Sequence, residues 1–246
     1  MNKIQKLINA QRAYSKDKNE YERLFKENNL DDFIFDKKYS NKQLFDRFDN
    51  AGSLEQHYFL QDIYIAKKII KNNISNHYDI GSRVDGFISH LLSSDINVHM
   101  IDIRPLPFEI DNLNFIEGNA TDLSNIKDNS LNSLSSLHAV EHFGLGRYGD
   151  PVDPLAWKKA LSEYKRVLAK NGTLYLSVPI GPENKLCFNA HRIFNPTTIS
   201  NELYDLELVS FSYIKNMHIY ENVNINDYSE SEDYLCGLFE FEKKII

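Results

Sequence analysis

Cysteine is scarce in this chain of 246 residues, which has only Cys187 and Cys236. Neither lies in a Cys-x-x-Cys or mixed Cys/His cluster, so the sequence supports neither a disulfide framework nor a structural zinc site. Apolar runs are short as well, because no stretch reaches bilayer-spanning length and the polar N-terminus has no signal-peptide core. The sequence therefore predicts a protein of the reducing cytoplasm without membrane insertion.

Positive charge is also limited, with 28 lysines and arginines against 35 acidic residues and a formal net charge of −7. Such a chain has no broad electrostatic attraction to nucleic acid or to an anionic membrane surface. Glycine and proline number only 10 and 7, and 42% of the residues are hydrophobic, as in an ordinary folded protein. The length predicts one large domain, or one domain with an appendage. The negative net charge predicts that it binds no nucleic acid.

The spacing of apolar residues changes near residue 73. Residues 1–72 show helix-type spacing and are predicted to form an N-terminal helical segment. Residues 73–246 show short apolar runs separated by helix-length intervals, which is typical of βα units and a parallel sheet. The predicted strands are residues 77–80, 98–103, 113–116, 131–137, 173–178, 207–213 and 234–241. A crossover helix is predicted over residues 157–169.

The connections predict the sheet topology. The first five strands are separated by helix-length intervals and are predicted to be parallel. The last two strands are joined without a convincing long helix, so they are predicted to pair antiparallel at one edge of the sheet. The predicted fold class is therefore α/β, with a mostly parallel Rossmann-like sheet, an antiparallel terminal hairpin and an N-terminal helical segment.

Three predicted strand ends carry residues that suit a nucleotide-like ligand. After Asp79, Gly81 lets the backbone approach a ligand, and the following helix start offers unpaired amide groups. Asp102 lies about twenty residues later, the spacing at which a carboxylate reaches the hydroxyls of a ribose. Asn119 follows the third strand, where its amide suits the edge of an adenine ring. The predicted ligand-binding residues are Asp79, Gly81, Ser82, Arg83, Asp102, Ile103, Asn119, Ala120 and His138.

Each of these features also has an ordinary explanation. A glycine turn can be a plain connection, Asp102 a solvated loop residue and Asn119 a cap. The same features serve a nicotinamide cofactor, so an NAD(P)-dependent oxidoreductase remains an alternative, as does a non-catalytic nucleotide-binding module. The terminal antiparallel pair argues against the oxidoreductase, whose sheet normally continues with a parallel βα unit.

The segment after the fourth strand, residues 138–150, is the part of the chain richest in chemically active side chains. In an open α/β sheet, the ligand crevice lies beyond the carboxyl ends of the strands, so this segment is expected to line it. A single buried histidine usually has a structural role, but several such residues at one strand end indicate a site. The residues concerned are His138, Glu141, His142, Arg147, Tyr148 and Asp150.

Taken in order, these motifs resemble those of class I S-adenosylmethionine-dependent methyltransferases. More narrowly, residues 79–87, 137–150 and 188–192 look like a bacterial branch catalogued as domain of unknown function 268, whose members often accompany surface-polysaccharide biosynthesis. The resemblance covers roughly residues 75–215. Ser82 and Arg83 depart from the superfamily's alternating glycines, so the loop is expected to contact the methionine end of the cofactor differently.

The resemblance implies S-adenosylmethionine as methyl donor, S-adenosylhomocysteine as product, and residues 73–246 as the donor-binding domain. It implies O-methylation of a sugar hydroxyl, with a nucleotide-activated heptose or hexose for capsule or lipopolysaccharide synthesis as the specific expectation. Histidine titrates near neutrality and so suits a general base. The resemblance places the superfamily's strand-four active-site residue at His138, which is therefore expected first as base, with His142 second. Glu141 is expected to orient either imidazole or to bind an acceptor hydroxyl.

The expected acceptor-binding residues are Arg147, Tyr148, Asp150, His191 and Arg192, with Arg192 holding a diphosphate. No metal is expected, although Asp150, Asp153 and Glu141 offer oxygen ligands for a divalent-ion alternative. The amphipathic N-terminal helices are expected to cover the acceptor cleft or to pack in a homodimer.

Overall fold

A computed structural model describes residues 3–28, 42–48 and 56–244 of the chain. The chain divides into two compact units, residues 1–54 and 55–246. The first contains helix α1, Lys3–Glu27, and a 3-10 turn, Asp46–Phe48. Arg23 donates to Glu20 and Glu27, one turn away on either side, which stabilises the exposed helix modestly. Residues 29–41 and 49–55 of the predicted helical segment lie outside the described residues.

Helix α2, Gln56–Lys71, belongs to the second unit, which therefore begins before the predicted boundary at residue 73. Its buried face carries Ile65, Ala66 and Ile69, spaced as one side of a helix. These residues pack in one hydrophobic cluster with Phe87 and Val98. The apolar face of α2 therefore covers one side of the sheet.

The second unit is built on an eight-stranded sheet in the order β3-β2-β1-β4-β5-β10-β8-β9. Its strands are β1 Asn76–Ile80, β2 Asn97–Asp102, β3 Leu113–Glu117, β4 Leu131–Leu137, β5 Leu168–Ile180, β8 Glu207–Lys215, β9 His218–Tyr220 and β10 Leu235–Glu242. Strands β1 to β5 are parallel, as predicted. Strand β10 runs antiparallel between β5 and β8, which confirms the terminal hairpin and the fold class.

Three helices lie between the strands. The chain leaves β1 through a π-helical turn, Val84–Ile88, that continues into the short helix α3, Ser89–Leu92. Helix α4, Ala156–Val167, follows β4, and helix α5, Pro196–Glu202, follows β5. Leu161, Tyr164 and Val167 of α4 are fully buried against the sheet on a second hydrophobic cluster. None of the helices in the described parts of the chain has the length and hydropathy that crossing a membrane requires.

Two details differ from the sequence prediction. The crossover helix ends at Val167 instead of Ala169, because Leu168 is already extended (φ −64°, ψ 128°) and begins β5. A separate two-stranded hairpin, β6 Lys185–Cys187 and β7 His191–Ile193, follows β5 where no strand was predicted. This hairpin fixes the positions of His191 and Arg192.

Candidate active site

Two neighbouring cavities lie at the carboxyl ends of β1, β2 and β4. The smaller, of about 290 Å³, is enclosed by the ends of β1, β2 and β3 and by residues after β4. The larger, of about 680 Å³, lies between the β1 turn, α2 and the segment after β4. Both cavities are lined by Gly81, Arg104, His138, His142 and Tyr148. A ligand in one cavity therefore lies beside a ligand in the other.

The turn after β1 forms the wall between the cavities. Gly81 has φ +79°, and a Cβ there would lie 3.0 Å from the Ala139 Cβ atom, so the position favours glycine. Asp79 lies beneath this turn and accepts hydrogen bonds from the Ser82 backbone N–H (3.0 Å) and hydroxyl (2.8 Å). Burial raises the pKa of Asp79 to about 6, although these hydrogen bonds oppose the change.

Asp79 thus holds the turn in place and lines neither cavity. Gly81, which was also predicted to bind the ligand, lines both cavities. Ser82 and Arg83 line the larger cavity. Arg83 pairs with Asp85 at 2.8 Å. The predicted contribution of Asp79 to cofactor binding is therefore indirect, through the backbone of the turn that it fixes.

The smaller cavity contains the residues predicted for an adenosine group. Its apolar walls include Ile80, Ile101, Ile103 and Ala120. Asn119 accepts hydrogen bonds from the Thr121 backbone N–H (3.0 Å) and hydroxyl (2.9 Å), which fixes the orientation of its amide at the cavity edge. These walls suit a flat heterocycle with a polar edge.

Asp102 also lines the smaller cavity, but Arg104 covers its carboxylate. The Arg104 backbone N–H and Nε each donate to Oδ1 at 2.9 Å, and Nη2 donates to Oδ2 at 2.7 Å. The Asp102 side chain is 6% exposed, whereas that of Arg104 is 52% exposed. A movement of the solvent-facing Arg104 guanidinium would therefore expose more of the Asp102 carboxylate, which is predicted to bind a ribose, to a ligand in this cavity.

Two histidines flank one buried carboxylate after β4. His138 has φ +49°, and its Nδ1 atom lies 2.9 Å from Oε1 of the fully buried Glu141. The Nε2 atom of His142 lies 3.6 Å from the same oxygen. On the other side of that ring, Nδ1 lies 2.6 Å from the Ala190 carbonyl oxygen. Nη1 of Arg147 lies 3.3 Å from the same Nδ1 atom. Because the shorter contact is to a carbonyl, which only accepts, we assign the proton of the neutral ring to Nδ1 and the lone pair to Nε2.

The two histidines differ in protonation. Burial lowers the pKa of His138, but the Glu141 carboxylate and Cys236 together outweigh burial and raise that pKa to about 10. For His142, burial lowers the pKa and Glu141 opposes this only in part. At neutral pH, His138 is therefore an imidazolium and His142 a neutral imidazole. This pattern favours His142 over His138 as proton acceptor, the reverse of the predicted order.

An aromatic group around His138 was not found by sequence reasoning. The rings of His57, Tyr58 and Tyr234 have centroids 5.0, 5.1 and 6.5 Å from the ring of His138. Within the described residues, His57 Nε2, His138 Nε2 and Glu141 Oε2 are buried without hydrogen-bond partners. Helix α2 and the start of β10 supply the three rings.

Helix α2 also supplies a carboxylate to the larger cavity. Asp62 lines that cavity together with Tyr58, one helical turn away. A Cβ added to Gly86 would lie 2.6 Å from Oδ2 of Asp62, so the carboxylate packs against the turn after β1. The i, i+4 spacing of Tyr58 and Asp62 is the signal that could have placed both on one helix face.

Residues 144–150 close the opposite side of the two cavities. Asp150 accepts hydrogen bonds from the backbone N–H groups of Gly144 (2.7 Å) and Tyr148 (3.2 Å), so it shapes this segment. The Tyr148 ring meets the His142 ring edge-on at 5.5 Å. Arg147 donates to the Ala190 carbonyl oxygen at 3.1 Å. Tyr148 and Arg147 line the larger cavity, as an acceptor-binding role requires.

Arg192, which was predicted to hold a diphosphate, lies away from both cavities. Arg192 is 8% exposed and lines neither cavity. Its Nη1 atom donates to the carbonyl oxygens of Phe143 (2.7 Å) and Glu141 (3.3 Å), because strand β7 places it behind that turn. His191 also lies off both cavity walls and packs at 4.6 Å against the Tyr234 ring. Arg192 therefore supports the segment that carries the two histidines.

The three carboxylates considered for a divalent metal have separate partners. Asp150 accepts from backbone N–H groups, Asp153 pairs with Lys159 at 2.7 Å, and Glu141 faces the histidines. Across residues 3–28, 42–48 and 56–244, no group of three or more His, Cys, Asp or Glu side chains is arranged to hold a metal ion.

Comparison with known sequences finds one family. Residues 111–234 match the family described as "Caenorhabditis protein of unknown function, DUF268". No curated protein matches the chain in sequence. The matched residues run from β3 to the start of β10 and include the whole segment after β4.

Solved structures with this fold include several methyltransferases. The 1,6-didemethyltoxoflavin-N1-methyltransferase of Burkholderia thailandensis, with bound 1,6-didemethyltoxoflavin and S-adenosylhomocysteine, has a TM-score of 0.54 at 12% identity, over 78% of this chain and 80% of that chain. The N-methyltransferase NodS of Bradyrhizobium japonicum has a TM-score of 0.53 at 13% identity, over 78% and 100%. A methyltransferase of Methanosarcina mazei has a TM-score of 0.51 at 16% identity, over 72% and 98%. These similarities establish the fold of S-adenosylmethionine-dependent methyltransferases.

Proposed function

This chain belongs to the DUF268 family, and from its fold and its paired cavities we propose that it is an enzyme that transfers a methyl group from S-adenosylmethionine and releases S-adenosylhomocysteine. The observation that carries this proposal is the junction of the two cavities at Gly81 and His138. A donor in the smaller cavity would face an acceptor in the larger one. Group transfer needs this proximity above all.

The walls of the smaller cavity fit the adenosyl part of the donor. Ile103 and Ala120 would flank the adenine, Asn119 would contact its edge, and Asp102 would accept from the ribose hydroxyls. The backbone of the turn at Gly81 can approach the donor closely, because glycine has no Cβ atom. Ser82 and Arg83 then face the methionine end from the larger cavity. When bound, the donor supplies an electrophilic methyl group.

The acceptor group that we propose is a sugar hydroxyl. Tyr58, Tyr148 and Tyr234 give the larger cavity aromatic walls, and Asp62 and Arg147 give it polar groups. A sugar ring presents apolar faces and polar edges, which such a lining accommodates. A nucleotide-activated heptose or hexose of the cytoplasm, used for capsule or lipopolysaccharide synthesis, is the specific substrate that we propose.

His142 is the general base in this proposal. Its Nε2 lone pair accepts the hydroxyl proton, and the ring is already oriented by its Nδ1–H bond to the Ala190 carbonyl. Glu141, at 3.6 Å from Nε2, stabilises the imidazolium that forms. His138 stays protonated beside the reacting groups and does not accept the proton.

A mass-spectrometric screen tests the function. The full chain is incubated with S-adenosylmethionine and a panel of nucleotide sugars, free sugars and aromatic amines, and each product is examined for the gain of one methyl group. We expect methylated nucleotide sugars. Binding of S-adenosylhomocysteine without methylation of any acceptor would instead support a non-catalytic module.

Replacing His142 tests the base. His142→Gln should lower kcat by about 10²- to 10⁴-fold, the usual contribution of a general base, with little change in S-adenosylhomocysteine affinity. Because the pKa of His142 is lowered below its ordinary value near 6.5, the wild-type rate should reach its plateau at a lower pH than an unperturbed histidine base would allow. A His142→Gln enzyme of wild-type rate would remove His142 from this role.

We also propose that the chain self-associates through α1. Leu7 and Ile8 are adjacent exposed apolar residues near the start of this helix, and a second copy of the chain is the partner that we propose to cover them. Light scattering during size-exclusion chromatography should give twice the chain mass. A Leu7→Glu variant should shift the particle to a single chain, and a wild-type monomer at high concentration would refute the dimer.

A further inference from the structure

Two arginines contact one tyrosine ring at the mouth of the larger cavity. The guanidinium carbon of Arg104 lies 4.7 Å from the centroid of the Tyr148 ring, and that of Arg147 lies 5.1 Å from it. Both arginines line the larger cavity. Both guanidinium groups thus contact the same ring, an interaction that Arg favours.

The charges of these two arginines are balanced differently. Arg104 is paired with Asp102 at 2.7 Å. In contrast, no carboxylate pairs with Arg147 within the described parts of the chain. Its Nη1 atom donates to the Ala190 carbonyl and lies 3.3 Å from Nδ1 of His142. Of the carboxylates around this cavity, Asp85 pairs with Arg83, Asp150 accepts backbone N–H groups, and Asp62 accepts from Gln61 on helix α2. The cavity mouth therefore carries a positive charge that an anionic ligand would neutralise.

The partner of Arg104 is the carboxylate that the donor ribose needs. Arg104 covers both oxygens of Asp102, and the Asp102 side chain is only 6% exposed. Ribose hydroxyls donating to Asp102 would therefore compete with the guanidinium for these oxygens. Since Arg104 is 52% exposed and already lies on the Tyr148 ring, it has room to leave Asp102 without losing that stacking contact.

We propose that Arg104 and Arg147 form, on the Tyr148 ring, a subsite for a phosphate or carboxylate group of the acceptor, and that donor binding at Asp102 releases Arg104 to complete it. The inference rests on the proposed function, because it assigns the displacement of Arg104 to the donor ribose. Guanidinium groups bind phosphate and carboxylate oxygens through paired N–H bonds. The subsite replaces Arg192, which is buried, as the place for an anionic acceptor group.

Thermodynamic linkage makes the proposal measurable. If the donor releases Arg104, donor and anion must strengthen each other's binding by the same factor. We would titrate the full chain with inorganic pyrophosphate by calorimetry, with and without saturating S-adenosylhomocysteine. The nucleoside should tighten pyrophosphate binding by at least about fivefold, the lower end of typical coupling.

Two variants separate the parts of the proposal. Arg104→Gln should abolish this coupling and bind S-adenosylhomocysteine more tightly than wild type, because the competitor for Asp102 is gone. Arg147→Gln should weaken pyrophosphate binding by about tenfold, the lower range for a charged hydrogen bond, and leave S-adenosylhomocysteine binding unchanged. As control, Lys158→Gln removes one positive charge from an ion pair with Glu202 away from both cavities. It should alter neither affinity.

The outcomes are distinguishable. If wild type binds no S-adenosylhomocysteine, the proposed function fails, and the release of Arg104 fails with it. If the nucleoside binds but pyrophosphate affinity does not depend on it, only the coupled subsite is refuted. Weaker S-adenosylhomocysteine binding by Arg104→Gln would show that Arg104 holds the donor, which also overturns the proposal.

Discussion

The buried pair of His138 and Glu141 should make stability depend on pH in the alkaline range. The pKa of His138 is about 10 in the folded chain and about 6.5 in an unfolded one. A raised folded pKa means that the proton is held more tightly in the folded state. Its contribution is therefore fully present below pH 6.5 and is lost as pH rises toward 10. The difference corresponds to about 5 kcal/mol at low pH.

Glu141→Gln removes the charge of this pair while keeping the shape of the side chain. Without the carboxylate, only Cys236 still opposes burial, so the pKa of His138 should fall and the stabilising proton should be lost. At pH 6.5 we expect the variant to lose about 3 to 5 kcal/mol, the usual cost of breaking a buried ion pair. At pH 9.5 the wild type has lost most of this contribution, so the two free energies of unfolding should nearly meet.

Urea unfolding followed by tryptophan fluorescence provides the assay. Trp157 is the single tryptophan and packs at 5.2 Å against Phe194 in the second unit, so its signal reports on the unit that contains the pair. Glu163→Gln is the matched control, because Glu163 pairs with Arg166 at 2.7 Å and its lowered pKa keeps it charged across this range.

The control should therefore show the same destabilisation at pH 6.5 and 9.5. Groups that titrate in both wild type and variant cancel in the difference between them. If the free energies of unfolding of Glu141→Gln and wild type differ by the same amount at every pH from 6.5 to 9.5, the assignment of the proton to His138 is refuted.

Other residues make shorter predictions. Gly81→Ala should lower the free energy of unfolding by about 1 to 2 kcal/mol in the same urea assay, since φ is +79° and the new Cβ contacts Ala139; an unchanged value would contradict the strain. Asp102→Asn should weaken S-adenosylhomocysteine binding about tenfold by calorimetry, since ribose hydroxyls lose a charged acceptor; equal affinity would remove Asp102 from the donor site. The pKa of Asp79 is raised to about 6, so its protonated form stabilises the folded state below about pH 4. As pH rises from about 4 to 6, the free energy of unfolding of the wild type should fall by about 3 kcal/mol relative to that of Asp79→Asn. A difference that stays constant over this range would argue against the raised pKa.

The sheet and the strand ends were predictable because they follow from patterns within single segments. The apolar runs gave seven strands close to those observed, and the lack of a long helix before β10 indicated its antiparallel direction. Parallel strands bring their carboxyl ends to one edge, so Asp102, Asn119 and His138 could be expected together before any contact was known. All three line the smaller cavity.

The contributions from distant segments were not predictable in the same way. Arg192 lies on a strand of three residues, too short to show alternation, and its burial depends on the turn that it supports. His57 and Tyr234 enter the site from α2 and from the residue before β10, and neither lies in a motif. The pairing of Arg104 with Asp102 is local, but the sequence offers no way to distinguish it from two solvated side chains. These positions depend on tertiary packing, which no periodicity records.

The protonation of His138 also bears on His142, although the two rings share no hydrogen bond. Glu141 Oε1 lies 2.9 Å from Nδ1 of His138 and 3.6 Å from Nε2 of His142. Because His138 is the nearer ring, the carboxylate stabilises a proton on His138 more than on His142. The positive charge that results lowers the pKa of His142, adding to burial and opposing Glu141. In the proposed mechanism, a base kept neutral in this way would accept a proton from the acceptor hydroxyl and release it readily afterwards, because two adjacent imidazolium rings repel each other. His138 would thus influence the proposed reaction as a fixed charge, and neutralising it should raise the pKa of His142 and move the plateau of the rate to higher pH.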